Sequence, residues 1–93
     1  MSFTKESAIE KAKTDLAGRL SVLESEIEEV SVDEADFPDM SLGAAVEDEM
    51  SAQMISSGWR IILKVNAKNY EYRADKYQLR LHGFNGTNHI IGS

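Results

Sequence analysis

Residues 59–82 decide the fold, and they read WRIILKVNAKNYEYRADKYQLRLH. Three runs within this stretch alternate apolar and polar side chains, the period of two that is typical of a strand with one buried face. The runs cover residues 59–65, 70–73 and 77–82, and turn-forming residues at 66–69 and 74–76 separate them. Three strands in succession with tight connections predict an antiparallel meander.

Upstream of the meander, residues 5–20 carry the pattern of an amphipathic helix. Apolar side chains recur every three or four positions, as on a helix with one buried side. The stripe consists of Ile9, Ala12, Leu16, Leu20 and Leu23. Ser2 or Thr4 can cap the start of this helix, and Glu6 lies in its first turn, where the helix dipole favours an acidic residue.

The helix must bury its apolar stripe, and the apolar face of the sheet is the available partner. The predicted fold class is therefore α+β, with an N-terminal helix packed on a curved antiparallel sheet of about four strands that ends in a meander. Residues 1–93 form a single domain in this interpretation, because the chain is short and has no linker or internal repeat.

The remaining segments complete the prediction. Residues 27–37 are expected to form the first strand, because valines at 30 and 32 alternate with polar residues. Residues 37–50 are expected to form an acidic loop, since proline, aspartate and glycine mark a turn near its start. Residues 51–82 supply the antiparallel strands, although a loop, a helical turn and a short edge strand all remain open for 44–56. The glycine- and asparagine-rich residues 83–93 are predicted to be a loosely held tail.

Four motifs follow one another in the chain. Residues 15–20 match Asp-Leu-Ala-x-Arg-Leu, and residues 26–32 match Glu-Ile-x-x-Val-Ser-Val. A Trp-Pro-Asp-x-Ser-Leu-Gly-Cys motif corresponds here to Phe37-Pro38-Asp39-Met40-Ser41-Leu42-Gly43-Ala44. A Gly-Tyr-Arg-Ile-x-Leu strand and a Tyr-Glu-Tyr strand correspond to residues 58–63 and 70–73.

In this order of motifs the chain resembles a family of small α+β domains found in many bacterial, notably cyanobacterial, proteins, mostly of unknown function. The resemblance runs from about residue 8 to residue 81 and implies a shared fold. Members of that family often look exported and carry two cysteines, for which this chain has Ala44 and a position near His82. Loss of both fits a cytosolic branch. The resemblance transfers no catalytic residue.

Composition and charge exclude several functions. The chain has no cysteine, so it can form neither a disulfide nor a thiolate metal site. A net charge of −6 argues against binding of nucleic acid, which needs a surplus of basic residues on one face. The polar N-terminus, and the lack of an apolar run fit for a signal peptide or a membrane span, predict a cytoplasmic protein that does not contact membranes.

Charge is unevenly distributed along the chain. Residues 1–50 carry four basic and fourteen acidic side chains, whereas residues 51–93 carry six basic and two acidic ones. One interpretation is a solvated acidic face offset by a basic sheet face, and the other is a docking patch for a charged partner. The candidate interaction residues are Arg60, Arg73, Arg80, Asp33, Glu34, Asp36 and Asp39.

No pattern of residues predicts catalysis, a cofactor or a metal. His82 and His89 are seven residues apart without the spacing of a zinc site, and the first is expected on the exposed side of a strand. The four candidate acidic residues lack the loop pattern that wraps calcium. Ser41 is not in a nucleophile elbow, so its hydroxyl is expected to bond to the backbone in a tight turn.

The aromatic side chains leave one further choice open. They share parity with the core-facing aliphatics, which predicts core or rim packing, but on an uncovered sheet face they would form a binding surface. They are Trp59, Tyr70, Tyr72 and Tyr77.

The leading functional hypothesis is a non-enzymatic protein-interaction module that binds a protein partner or a second copy of itself. The alternative is a small-ligand-binding or protease-inhibitor-like module that presents the loop at 37–50. An enzyme is the hypothesis with the least support.

Overall fold

A computed structural model describes residues 2–92 of the chain. The helix α1 (Lys5–Leu20) comes first, and a 3-10 turn (Glu24–Glu26) follows it. The strands are β1 (Glu28–Phe37), β2 (Ser56–Val65), β3 (Lys68–Ala74), β4 (Leu79–Phe84) and β5 (Thr87–Gly92). They form one sheet in the order β1-β2-β3-β4-β5, with every neighbouring pair antiparallel. The α+β prediction is confirmed, with five strands instead of about four.

The helix begins and ends at the residues that the sequence predicted. Thr4 is the N-cap: its hydroxyl accepts a hydrogen bond from the Ser7 amide at 3.1 Å, and the Ser7 hydroxyl accepts one from the Thr4 amide at 2.8 Å. This reciprocal pair satisfies two of the amides that a helix N-terminus leaves without partners. Ser21 ends the helix in a left-handed conformation, with φ at 54°.

The buried side of α1 differs from the predicted stripe. Ala8, Ala12 and Leu16 are fully buried, whereas Ile9 and Leu20 are only half-buried. The small alanine side chains let the helix approach the sheet closely. Leu23 is 70% exposed because the helix has already ended before it.

The core lies between α1 and one face of the sheet. Tyr72 of β3 pairs with Ile61 of β2 on one side and with Leu81 of β4 on the other, and all three are fully buried. Leu63 and Leu79 extend this layer along the same face. Inward-facing side chains on three adjacent strands thus form a continuous apolar surface beneath the helix.

The predicted loose tail at residues 83–93 is corrected by the structure, which has a fifth strand there. Asn85 and Gly86 form a two-residue turn, and both have positive φ, at 52° and 80°. Asn-Gly is the residue pair that such a hairpin turn favours, because both positions need a left-handed backbone. Ile91 of β5 then packs against the core.

Two other boundaries also differ from the prediction. β4 begins at Leu79 instead of residue 77, because Asp75 accepts hydrogen bonds from the amides of Tyr77 and Gln78 and holds them in a turn. Residues 38–55 form one irregular connection between β1 and β2, so 44–56 contains no edge strand until β2 begins at Ser56. Within residues 2–92, no helix has the length and apolar character needed to cross a membrane.

A hydrogen-bonded cluster fixes α1 to the centre of the sheet. The Tyr72 hydroxyl donates to Asp15 Oδ2 at 2.7 Å, and Arg19 Nε donates to the same oxygen at 2.7 Å. Burial raises the pKa of the Tyr72 hydroxyl, so it remains a proton donor. The Arg19 guanidinium also lies 5.5 Å from the centre of the Phe84 ring on β4. Asp15 and Arg19 therefore join the helix to two strands.

We expect the substitution Tyr72→Phe to lower the free energy of unfolding by about 1–2 kcal/mol, because it removes a buried donor and leaves Asp15 with one fewer partner. Urea denaturation measures this loss. Tyr70→Phe is the matched control, since Tyr70 is half-buried and its hydroxyl has no hydrogen-bond partner among residues 2–92. Its effect should stay within about 0.5 kcal/mol. Equal losses in the two variants would contradict the assigned role of Asp15.

Candidate functional site

The three candidate arginines lie side by side on the sheet face that α1 does not cover. Arg60 pairs with Arg73 across β2 and β3, and Arg73 pairs with Arg80 across β3 and β4. The structure therefore brings together the basic row that the sequence placed opposite the core. Phe37 at the end of β1 is also buried on this face, and its ring centre lies 5.9 Å from Arg60 and 5.6 Å from Arg73.

The connection at 38–55 covers most of this basic row. Arg73 Nη1 donates to the backbone carbonyls of Leu42 at 3.0 Å and Gly43 at 3.1 Å. Arg80 Nη1 donates to the Ala44 carbonyl at 3.2 Å. Two of the three arginines are thus bound by the chain's own backbone.

Ion pairs complete the neutralisation of these arginines. The Arg80 guanidinium binds both carboxylate oxygens of Glu49, and its side chain is only 5% exposed. Arg73 Nε donates to Glu71 Oε2 at 2.6 Å, and Arg60 Nε lies 3.3 Å from the same oxygen. The Arg60 side chain is 44% exposed, so it is the member of the row that solvent reaches most easily.

A tight turn at residues 39–43 aims the backbone carbonyls at the arginines. Asp39 Oδ1 accepts hydrogen bonds from the Ser41 amide, the Ser41 hydroxyl and the Gly43 amide, at 3.0, 2.6 and 3.0 Å. Leu42 and Gly43 follow with φ of 60° and 66°. A Cβ atom on Gly43 would lie 2.8 Å from Arg73 Nη1, so a side chain there would have to displace the guanidinium, and the positive φ also favours glycine.

This turn also settles the place of Ser41. The residue is fully buried, and its hydroxyl donates to the Asp39 carboxylate. The sequence predicted a hydrogen bond from this hydroxyl to the backbone, and the structure replaces that partner with a side chain. The Ser41 bonds and the Gly43 amide hold the pKa of Asp39 below its ordinary value.

The four candidate acidic residues do not converge on one point. Asp33 of β1 pairs with Arg60, whereas Glu34 and Asp36 pair with Trp59 and Ser57. The first pair therefore faces the basic row, and the other two pairs face the same side of the sheet as α1. Asp39 lies in the turn described above. Within residues 2–92, no group of three or more histidines and carboxylates is placed to hold a metal ion.

The two histidines are also separated. His82 pairs with Glu71 on the face of the basic row, whereas His89 pairs with Leu81 on the face of α1. The His89 ring packs edge-on against Phe84, with 6.0 Å between the ring centres. The sheet therefore lies between the two imidazoles.

A shallow depression beside Trp59 was not anticipated from the sequence. It has a volume of about 490 Å³ and is lined by Glu34, Ala35, Asp36, Ser57, Gly58 and Trp59. Trp59 is half-buried and packs at the margin of the core, as predicted for the aromatic residues. Tyr72 is fully buried and Tyr70 half-buried, but Tyr77 lies in the β3–β4 turn and is 63% exposed. The register of β1 against β2 creates the depression, and alternation within one strand does not reveal that register.

The fold and these contacts define a small α+β domain in which α1 covers one face of a five-stranded antiparallel sheet and a loop covers part of the other. The chain belongs to the family described as a domain of unknown function (DUF8738), whose model matches residues 9–82. No match was found among curated proteins or among solved structures. The matched region contains the Asp15–Tyr72 bond and the Arg80–Glu49 ion pair, and it ends before β5.

Acid should weaken the attachment of the loop. Bonds from Arg80 and from the Val46 amide lower the pKa of Glu49, and the turn lowers that of Asp39. A carboxylate with a lowered folded-state pKa contributes its full stability above its ordinary value, here 4.5 and 3.8, and loses it as pH falls through the folded value. We therefore expect the melting temperature to fall as pH drops below about 4.5.

The double variant Asp39→Asn/Glu49→Gln isolates this effect. It should be less stable than the wild type at neutral pH and should lose less of its melting temperature on acidification. Glu47→Gln is the control, since Glu47 is exposed on the same loop. Parallel pH profiles for the wild type and the double variant would contradict the assignment.

Removal of the Arg80 guanidinium should release the loop. We expect Arg80→Gln to lower the free energy of unfolding by about 2–4 kcal/mol, because Glu49 loses its cation and the Ala44 carbonyl its donor. Limited proteolysis should then cut within residues 38–55 faster than in the wild type. Arg80→Lys keeps the charge, so its rate of cleavage should lie between those of the wild type and Arg80→Gln. Lys76→Gln, at an exposed position, is the control. Unchanged proteolysis in Arg80→Gln would show that this arginine does not hold the loop.

Proposed function

We propose that this domain is a non-enzymatic protein-interaction module that binds a basic segment of a partner protein along strand β1. The observation that carries the proposal is the open, acidic edge of the sheet. β1 is the first strand in the sheet order, so one of its two edges has no neighbouring strand. An unpaired strand edge can bind an extended peptide through its backbone amides and carbonyls.

The charge of β1 selects the partner. Its ten residues contain no lysine, arginine or histidine, and the carboxylates of Glu28, Asp33, Glu34 and Asp36 are on exposed residues. Such a row of like charges repels the same strand of a second copy, which is how exposed edges avoid aggregation. It attracts a segment rich in lysine or arginine.

The loop contacts argue for a different protein as the partner rather than a second copy of this chain. Self-association through the charge asymmetry would need the basic row to be free for the acidic residues of another molecule. Arg73 and Arg80 instead bind the loop of their own chain, and Arg60 retains partial exposure. We therefore expect static light scattering to give the monomer mass at both low and high salt.

Packing of the loop weakens the inhibitor-like alternative. Ser41, Leu42 and Ala44 are buried against the sheet, whereas inhibitor loops project from a scaffold into the groove of an enzyme. The remaining part of the loop ends in the exposed Met54 and Ile55. Catalysis has no support from the described residues, in which the serine of the turn is buried and the histidines lie on opposite faces.

An NMR titration with a twelve-residue peptide of alternating lysine and threonine tests the proposal. The peptide should shift the backbone amides of β1 before those of other elements. Binding should weaken about tenfold or more when salt rises from about 20 to about 300 mM, because screening acts on exposed charges. Amide shifts confined to β5, the strand at the other edge of the sheet, would contradict the proposal that the peptide binds β1.

A charge-reversal double variant tests whether the charges of β1 themselves attract the peptide. Glu28→Lys/Asp33→Lys should weaken binding of the peptide about tenfold or more, since it introduces repulsion on the edge. Glu10→Lys/Glu47→Lys changes the net charge equally at two exposed positions outside β1. Equal loss in both pairs would show that net charge alone attracts the peptide.

A further inference from the structure

The depression beside Trp59 has the features of a pocket for one cationic side chain. We propose that it receives an arginine side chain from the partner segment that binds β1, with the indole as a stacking surface and the Glu34 and Asp36 carboxylates as anionic partners. This inference rests on the proposed function and assigns the chemistry of one contact within it.

The register of β1 and β2 places the required groups on one face. Glu34 is opposite Trp59, and Asp36 is opposite Ser57, so two carboxylates and the indole share one side of the strand pair. The Ser57 hydroxyl donates to Asp36 Oδ1 at 2.7 Å, which orients that carboxylate. Each of these residues keeps some solvent exposure, so a side chain from outside can reach them.

Small residues separate the larger ones along both strands of the depression. A Cβ atom built on Gly58 would lie 2.0 Å from the Ala74 carbonyl oxygen, so β3 approaches too closely for any side chain there. Ala35 is opposite Gly58 and is also small. By the alternation of the strands this pair faces the side opposite to Glu34, Asp36 and Trp59. The volume of about 490 Å³ accommodates a guanidinium and its methylene stem.

Trp59, like Phe3 and Tyr72, has no cation over its ring among residues 2–92, whereas the other four aromatic rings of the chain have one. Four rings lie within 6 Å of a lysine or arginine of this chain: Phe37, Tyr70, Tyr77 and Phe84. Tyr72 is fully buried. Within residues 2–92, no such cation lies over the Trp59 indole, although tryptophan is the aromatic residue that binds cations best.

The two carboxylates are also free of cations. Among the described residues, no lysine, arginine or histidine lies within 4 Å of Glu34 or Asp36. An indole and two carboxylates without a basic partner therefore lie together at an open strand edge. Arginine fits this set better than lysine, because its planar guanidinium stacks on an aromatic ring while it donates to carboxylates.

Trp59 reports on its own pocket, because it is the single tryptophan of the chain. The probes are two capped peptides, Val-Thr-Val-Arg-Val-Thr and the same sequence with citrulline, which is nearly isosteric with arginine but neutral. We expect the arginine peptide to change the Trp59 fluorescence and the indole N–H shift. It should bind about tenfold more tightly than the citrulline peptide.

Variants of the residues that line the depression test whether these residues cause the preference for the arginine peptide. Glu34→Gln/Asp36→Asn should reduce the preference for arginine over citrulline to near unity, and Glu10→Gln/Glu47→Gln should leave it unchanged. Trp59→Leu should weaken binding of the arginine peptide about fivefold or more, whereas Tyr77→Leu, at an exposed ring in a turn, should not. Trp59→Phe keeps a ring at this margin of the core and should be intermediate, and NMR spectra confirm that each variant is folded.

The outcomes separate this inference from the proposed function. Equal affinity for both hexapeptides, or an unchanged indole signal at saturation, would overturn the arginine pocket. If the lysine–threonine peptide still binds β1 and Glu28→Lys/Asp33→Lys still weakens it, the proposed function stands without the pocket. If no basic peptide shifts the backbone amide signals of β1, the result contradicts both the proposed function and the arginine pocket.

Discussion

The contact between residues 38–55 and the sheet depends on two guanidinium groups that are largely shielded from water. Arg73 and Arg80 lie on a sheet face that α1 cannot cover, and their side chains are 15% and 5% exposed. Cations in such surroundings need hydrogen-bond acceptors or opposite charges, because the loss of hydration otherwise costs several kcal/mol. Glu71 of β3 and the Gln78 side chain meet part of that need. Residues 38–55 lie across the sheet and supply the rest, as three backbone carbonyls and the Glu49 carboxylate. The loop is thus held to the sheet by these polar contacts together with the buried Leu42 and Ala44 side chains.

Local patterns predicted the parts of the fold that depend on one element at a time. The helix limits follow from Thr4 and the apolar period, and the meander follows from alternation in residues 59–82. The prediction of which helix residues are buried is less accurate. The apolar pattern selects Ile9 and Leu23 because they are hydrophobic, whereas close packing on the sheet favours the small Ala8 and Ala12. The prediction of a tail at residues 83–93 misses the fifth strand, because it gives more weight to the glycine and asparagine content than to the hairpin signal of Asn85-Gly86.

The candidate site also has one part that the sequence predicts and another that depends on contacts between distant segments. Alternation within strands placed the three arginines on one face, because that needs only the parity of each residue. It could not show that the loop would cover two of them, since the Arg80–Glu49 pair joins residues 31 positions apart. The depression at Trp59 was equally hidden, because it depends on how β1 aligns with β2. The motifs behind the family resemblance include the residues of both structural clusters, Asp15 and Arg19 on one face and Asp39 and Arg73 on the other. The same motifs also include residues 28–32 of β1 and two residues of the depression, Gly58 and Trp59.

The acceptors that hold Arg73 are main-chain carbonyls, and this has a consequence for sequence variation within such a loop. Any residue has a carbonyl, so what must be kept at Leu42 and Gly43 is a pair of left-handed backbone conformations and not a particular chemical group. Asp39 stabilises that path from within the turn, and Gly43 makes room for the guanidinium. Substitutions at exposed loop positions outside these contacts, such as Glu47, should therefore leave the backbone path intact. The loop can therefore vary at its exposed positions, whereas a change at Asp39 or Glu49 would loosen its contacts with the two arginines.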